Sequence, residues 1–145
     1  MSKIAFYFED IQPLRLKKIV LISHIKYLIN SELMIVGDLS IIFCSDDYLL
    51  NINKQYLDHD YYTDIITFNY VENKTISGDL FISVERITEN AANYDTDMEK
   101  ELLRVIFHGI LHLIGYNDKT EEEKKLMKEK EDFYLNTVNF EEIML

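Results

Sequence analysis

The chain has one cysteine, one proline and no apolar run approaching the ~20 residues that cross a bilayer. A lone cysteine, Cys44, leaves no intramolecular disulfide and rules out a zinc site built from cysteine thiolates. Such cysteine usage fits a reducing compartment. The opening residues Met1-Ser2-Lys3-Ile4-Ala5-Phe6 lack the three regions of a secretory leader. A cytoplasmic protein without a membrane partner is therefore expected. Positive charge is also scarce: 15 Lys and Arg stand against 26 Asp and Glu, for a net charge of −11. Residues 1–30 form the exception, with Lys3, Arg15, Lys17, Lys18 and Lys26 against two acids. An acidic surface repels polyanions at long range, which disfavours generic electrostatic binding of nucleic acid.

What is present describes an ordinary globular chain. At 145 residues, 48% hydrophobic and 28% charged, it is most simply one domain over residues 1–145. Ile4 to Phe8 reads as a first strand. Pro13 stands where a helix can begin, and Leu14, Leu16, Ile19, Val20, Ile22, Ile25 and Leu28 continue at helical spacing. Leu33 to Cys44, broken by Gly37-Asp38, reads as one strand or a short pair. Ser45-Asp46-Asp47 caps a helix through Leu57. His59-Asp60-Tyr61-Tyr62 reads as a loop, Thr63 to Tyr70 as a strand, Asn73-Lys74 as a turn, and Ile76 to Ser83 as another strand. Val84 to Asn93 turns helical, and Asp95, Thr96 or Asp97 is placed to cap a long apolar helix after it. Thr120 with Glu123 forms a capping box before a charged last helix. The pattern predicts an α+β fold: a small mixed sheet of about four strands covered by about five helices.

The chemistry concentrates in His108-Gly109-Ile110-Leu111-His112-Leu113-Ile114-Gly115-Tyr116-Asn117-Asp118. Residues four apart share one helical face, so both imidazoles address one point. Gly115 permits a left-handed cap and a chain reversal that returns Asp118 to the two rings. Two imidazoles and a carboxylate with a fourth position open are what a catalytic zinc site requires. From Glu101 to Ile114 the only polar residues besides the pair are Glu101 and Arg104. A polar stripe on an otherwise apolar helix is costly unless partners or a ligand satisfy it. The bland alternative is a pair of core histidines that merely hydrogen-bond.

These residues resemble the H-G-x-L-H-L-x-G-Y-D-H signature of the bacterial YbeY family of metal-dependent endoribonucleases, also called rRNA maturation factors. Asn53-Lys54-Gln55-Tyr56 with Thr63-Asp64-Ile65-Ile66-Thr67-Phe68 looks like the family's L-N-x-x-Y-R…T-D-V-L-S-F segment. Gly78-Asp79-Leu80-Phe81-Ile82-Ser83 is similar to its G-D-I-x-I-S strand, and Glu101-Leu102-Leu103-Arg104 matches the approach to the first histidine. The resemblance implies a zincin-like metal-site helix carrying the ligands His108 and His112, with Asp118 as the third ligand at the position of the family's third histidine. It also implies hydrolysis of single-stranded RNA by metal-activated water, with roles in maturing the 3′ end of small-subunit (16S) rRNA and in ribosome quality control. The implied partners are rRNA, the small ribosomal subunit and its proteins, and the implied ion is Zn2+. Three positions depart from the family. Asp118 replaces a third histidine, Asn117 replaces an aspartate, and Leu57 replaces an arginine taken as functionally important. Lys54 and Arg104 are the candidate replacement cations, and Lys54, Thr63 and Arg104 the candidate RNA contacts; Thr67 and Ser83 are weaker ones.

A carboxylate is a sound zinc ligand, although an anion partly neutralises the ion and leaves its water less acidic. The same donors suit Fe2+. Two further readings stand beside the nuclease. One is a ribosome-assembly binding module with a structural metal. The other is a metallopeptidase, which the glycine after His108 opposes, because H-E-x-x-H enzymes use a glutamate there as their base.

Overall fold

A computed structural model describes residues 2–58 and 63–144. The loop expected at 59–62 lies outside them. The elements run β1 (Ile4–Glu9), α1 (Lys18–Ser31), β2 (Ile35–Cys44), α2 (Asp46–Leu57), β3 (Ile65–Asn69), β4 (Thr75–Ser83), α3 (Val84–Asn93), α4 (Met98–Ile114), α5 (Glu121–Leu135) and a 3-10 turn (Phe140–Glu142). The four strands form one sheet in the order β1-β2-β4-β3. β1 and β4 both run parallel to β2, while β3 pairs antiparallel with β4 at the edge. This is the expected α+β architecture: a four-stranded mixed sheet with five α-helices among the described residues. None of those helices is long and apolar enough to cross a membrane.

Strand alternation divides the molecule into two layers of unequal weight. Leu39, Ile41 and Phe43 of β2 and Ile76, Leu80 and Ile82 of β4 join the main core with Leu21, Ile25, Leu28 and Ile29 of α1 and the apolar side of α4. The other face carries a smaller cluster in which Cys44, Ile66, Phe68 and Phe81 meet Leu49 and Ile52 of α2. Cys44 is fully buried there, and burial, reinforced by Asp46, Asp10 and Glu9, pushes its thiol up to about 12. It stays a protonated core residue.

Of the two readings of Leu33 to Cys44 the single strand stands, with Gly37-Asp38 at a register shift within β2. One expectation changes: no helix begins at Pro13. Leu16 is buried and bridges Met144, and the Lys17 amide donates to the Ile143 carbonyl at 2.9 Å. The C-terminal tail therefore holds this stretch extended until Lys18. Asp97 is the N-cap of α4, but its side chain makes no capping hydrogen bond, so it contributes charge alone at that helix end.

Helix α4 lies against the sheet at a glycine. A Cβ on Gly109 would fall 2.7 Å from Ile65 Cδ1 and 2.8 Å from Leu80 Cδ2. The residue that follows His108 thus faces β3 and β4, where a side chain fits only if the tips of Ile65 and Leu80 move aside. Gly109→Glu, which would restore the peptidase pattern, drives a carboxylate into this contact. We expect it to destabilise the fold by about 3–5 kcal/mol, read from the urea midpoint. A wild-type midpoint would mean that α4 does not approach the sheet this closely.

Candidate metal centre

Ten residues of α4 are buried, from Glu101 to Leu113, and its polar stripe surfaces along a single line. His108 and His112 stand one turn apart on that line with side chains 26% exposed and rings at 84° to one another. Their Nε2 atoms face each other at 3.0 Å. After Ile114 the helix stops at Gly115, whose φ of 128° is open to glycine and strained for other residues. The amides of Gly115 and Tyr116 both donate to the Leu111 carbonyl, at 3.1 and 3.0 Å, closing the helix end. The chain then turns back. Asp118 Oδ2 comes to 3.3 Å from His108 Nε2 and 3.2 Å from His112 Nε2.

These donors fit a metal ion. Ligands ~2.0–2.1 Å from a tetrahedral ion are ~3.3 Å apart. The triangle of 3.0, 3.2 and 3.3 Å matches one face of such a tetrahedron. Among the described residues these three are the group whose donor atoms converge in this way. The vertex opposite this face is left for water or substrate. Asp118 is 41% exposed, so the centre is open to solvent on its side.

A second layer holds the first. His108 Nδ1 lies 2.8 Å from Glu131 Oε2 on α5. A carboxylate accepts, so the ring proton sits on Nδ1 and the Nε2 lone pair points to the centre. Glu131 is only 7% exposed. Its other oxygen accepts from Arg104 Nη1 at 2.9 Å, and Arg104 also reaches Asp132 at 3.0 Å. Burial alone would push the His108 imidazole down. The Glu131 hydrogen bond and the charges of Glu131, Asp118 and Asp64 outweigh it and hold the ring above the usual histidine value. Asp64 and Glu101 are both pushed up, chiefly by burial; His108 opposes this at Asp64, and Arg104 at Glu101. A cavity of about 590 Å3 opens beside His108 and Asp118, and one of about 260 Å3 adjoins it at Asp64 and Asn90.

The sequence model of the family described as Endoribonuclease YbeY matches residues 10–139, a span that contains the donor triangle and its supports. The chain belongs to that family. A relative named Endoribonuclease YbeY from Parabacteroides distasonis is 51% identical over 129 residues, covering 89% of this chain and 91% of its own. Another of that name, from Cytophaga hutchinsonii, is 44% identical over 138 residues, covering 94% and 96%. A solution structure from Thermotoga maritima matches with a TM-score of 0.67 at 29% identity, over 92% of this chain and 87% of its own.

Not every residue singled out in the YbeY pattern reaches the centre. His108, His112 and Asp118 converge. Arg104 adjoins them, but its guanidinium is spent on Glu131 and Asp132. Lys54 lies exposed on α2, which packs on the opposite face of the sheet from α4. Leu57 ends that same helix, 39% exposed. Thr63 is not among the residues lining either cavity; its neighbour Asp64 is. Ser83 is fully buried and caps α3 while donating to Asp46 at 2.5 Å, so its role is structural. Glu131 and Asp64 escaped the sequence reading. Glu131 looks like one more acid on a charged helix, and only its placement after Met127 and before Tyr134 and Leu135, all buried, sets it on the inward face.

The loop that carries Asp118 is fastened from the other side. Tyr116 and Tyr134 hydroxyls both donate to Glu32, just past α1, and Lys130 Nζ lies 3.1 Å from it. Burial pushes the Glu32 carboxyl up, but these three partners outweigh it and hold it below the usual glutamate value. Because that value is lowered, the anion's contribution to stability is complete above the ordinary glutamate range and drains away as pH falls below it. Glu32→Gln should therefore lower the melting temperature at neutral pH, by a loss of about 1–3 kcal/mol. The gap to wild type should narrow on acidification, and a pH-independent gap would contradict this account. Glu131→Gln should weaken metal binding about 10–100-fold in chelator competition, because its one amide oxygen cannot accept from both His108 and Arg104 and the charge behind the ring is lost. An unchanged affinity would show that the ring is oriented by something else.

Proposed function

We propose that this chain, one domain over residues 1–145, is a metal-dependent endoribonuclease that cuts single-stranded RNA. In this reading it matures the 3′ end of small-subunit rRNA, serves ribosome quality control, and meets the small subunit and its proteins in the cytoplasm. The observation that carries the proposal is the donor triangle of His108, His112 and Asp118, open on one side to a cavity. Relatives at 51% and 44% identity bear the name endoribonuclease, which sets RNA as the substrate class. Zn2+ is the proposed ion, and the two-imidazole, one-carboxylate set also accepts Fe2+.

When bound, a divalent cation supplies Lewis-acid polarisation of a phosphoryl oxygen and acidifies water at neutral pH. The protein's own part is positional. Glu131 keeps the His108 proton on Nδ1 and the ring in place. Arg104 neutralises Glu131, so that the buried carboxylate is not left unpaired. The Gly115 cap and the Tyr116–Glu32 contact fix where Asp118 returns. A peptidase reading fails at Gly109, which faces the sheet where a catalytic glutamate would have to stand. A purely structural metal is disfavoured by three donors where closure needs four.

The test is cleavage of single-stranded RNA by purified protein, with and without chelator, alongside His108→Ala. We expect cutting that chelation abolishes, that zinc restores, and that His108→Ala lowers at least ~100-fold. Cleavage surviving both treatments would sink the metal-hydrolase reading. Absence of cleavage with retained co-sedimentation on small subunits would favour the binding module.

A further inference from the structure

Resting on this reading of the centre, we propose that the groove leading from it along α4 and α5 is a binding track for unpaired RNA. Lys100, Lys124 and Lys128 contact phosphates there, and Tyr94 stacks on a base.

The first support is a local inversion of charge. The cavity of about 590 Å3 runs from His108 and Asp118 to Lys100, Lys124 and Lys128, with Tyr94 and Met127 in its wall. Its other acids do not face the solvent. Glu101 is 3% exposed and Glu131 is 7% exposed, and both are matched by Arg104. Besides the donors His108 and Asp118 and the paired Arg104, whose side chain is 26% exposed, the ionic groups this groove offers to solvent are three ammoniums. That contrasts with a chain whose net charge is −11. Lys124 and Lys128 are four apart on α5 and so share one face, both exposed. Lys124 meets Glu121 only at 3.8 Å on an open rim, a pairing weak enough to yield to a phosphate.

The second support is Tyr94. It caps the C-terminus of α3, is 70% exposed, and borders both cavities. An aromatic face beside a cationic groove is the combination that holds single strands: backbone charge is met by lysine, and bases stack on the ring whatever their sequence. Paired bases hide those faces, so the track selects unpaired RNA. It also answers how an acidic protein draws in a polyanion at its centre, since positive charge lines the route in.

The experiment uses the full chain and a fluorescent single-stranded RNA of about ten nucleotides. Anisotropy is followed across a salt series with chelator present to stop turnover. The triple variant Lys100→Ala/Lys124→Ala/Lys128→Ala should weaken binding and flatten the log–log salt dependence by about 2, since each phosphate contact on a single strand contributes ~0.7. Tyr94→Ala should bind about tenfold more weakly with an unchanged slope, and Tyr94→Phe should bind like wild type. A duplex of equal length should bind more weakly than the single strand. Lys124, Lys128 and Tyr94 are exposed and Lys100 is half-buried, so all variants should keep the wild-type melting temperature and zinc affinity. A wild-type slope in the triple variant, wild-type affinity in Tyr94→Ala, or equal binding of the duplex would each overturn the track. If wild type cuts RNA while the variants bind normally, the track falls and the nuclease reading stands; if wild type neither binds nor cuts, both fall.

Discussion

Glu131 carries a charge at 7% exposure, and a charge so buried is tolerable only when it is paired and hydrogen-bonded. Both of its oxygens are engaged, Oε2 with His108 Nδ1 and Oε1 with Arg104 Nη1. Since His108 and Arg104 lie on α4, satisfying Glu131 obliges α5 to fold back antiparallel onto α4 in one register. Met127, Tyr134 and Leu135, buried on the same side of α5, supply the apolar area that makes this docking favourable. The connection has six residues, from Gly115 to Thr120, and both ends are set by local chemistry: a glycine cap on α4 and a reciprocal Thr120–Glu123 box on α5. Asp118 sits within that short span. Its return to the imidazoles is therefore a consequence of helix docking, with Tyr116 and Glu32 as the outer fastening.

How much of this can be read from the chain depends on whether the cause is local. The histidine pair, the Gly115 stop and the capping box rest on interactions within one or two turns, and all three stand in the structure as expected. The strands β3 and β4 announce themselves by alternation. The start of α1 could not be read at Pro13, because what keeps Leu16 extended is a partner 128 residues further on, Met144. Glu131 was hidden for the same reason: among the acids of α5, nothing local separates a solvated one from one aimed at His108. Lys54 is the converse case. Its neighbourhood in sequence ties it to the family motif, yet the layer order sends α2 to the far side of the sheet.

Charge is organised here by depth rather than by face. Two acids beside the centre, Glu101 and Glu131, are withdrawn from solvent and matched by Arg104 and His108. Arg104 is consequently unable to serve as a free cation in place of the family arginine whose position Leu57 takes, since its guanidinium already answers three carboxylates. Any cation that meets a polyanion must come from elsewhere. The solvent-facing lysines of the groove are the ones the fold places beside the centre.

Asp118 gives this arrangement its electrostatic logic. With two neutral imidazoles and one carboxylate, the ligand set leaves a divalent ion a formal charge of +1, and Glu131 behind His108 reduces its effect at a distance further. An ion held there would project less positive potential toward a phosphodiester than one held by three imidazoles. In the proposed nuclease, attraction of the substrate and activation of water would then fall to different parts of the molecule. Under the proposed function, Asp118 with Glu131 behind His108 would secure the ion, while lysines on α4 and α5 would supply the positive field. Because an exposed field of this kind is screened within about 10 Å at ordinary ionic strength, the lysines can act only near where they stand. Their position along the cavity that ends at His108 and Asp118 would place that field on the approach to the centre, in a chain whose net charge is −11.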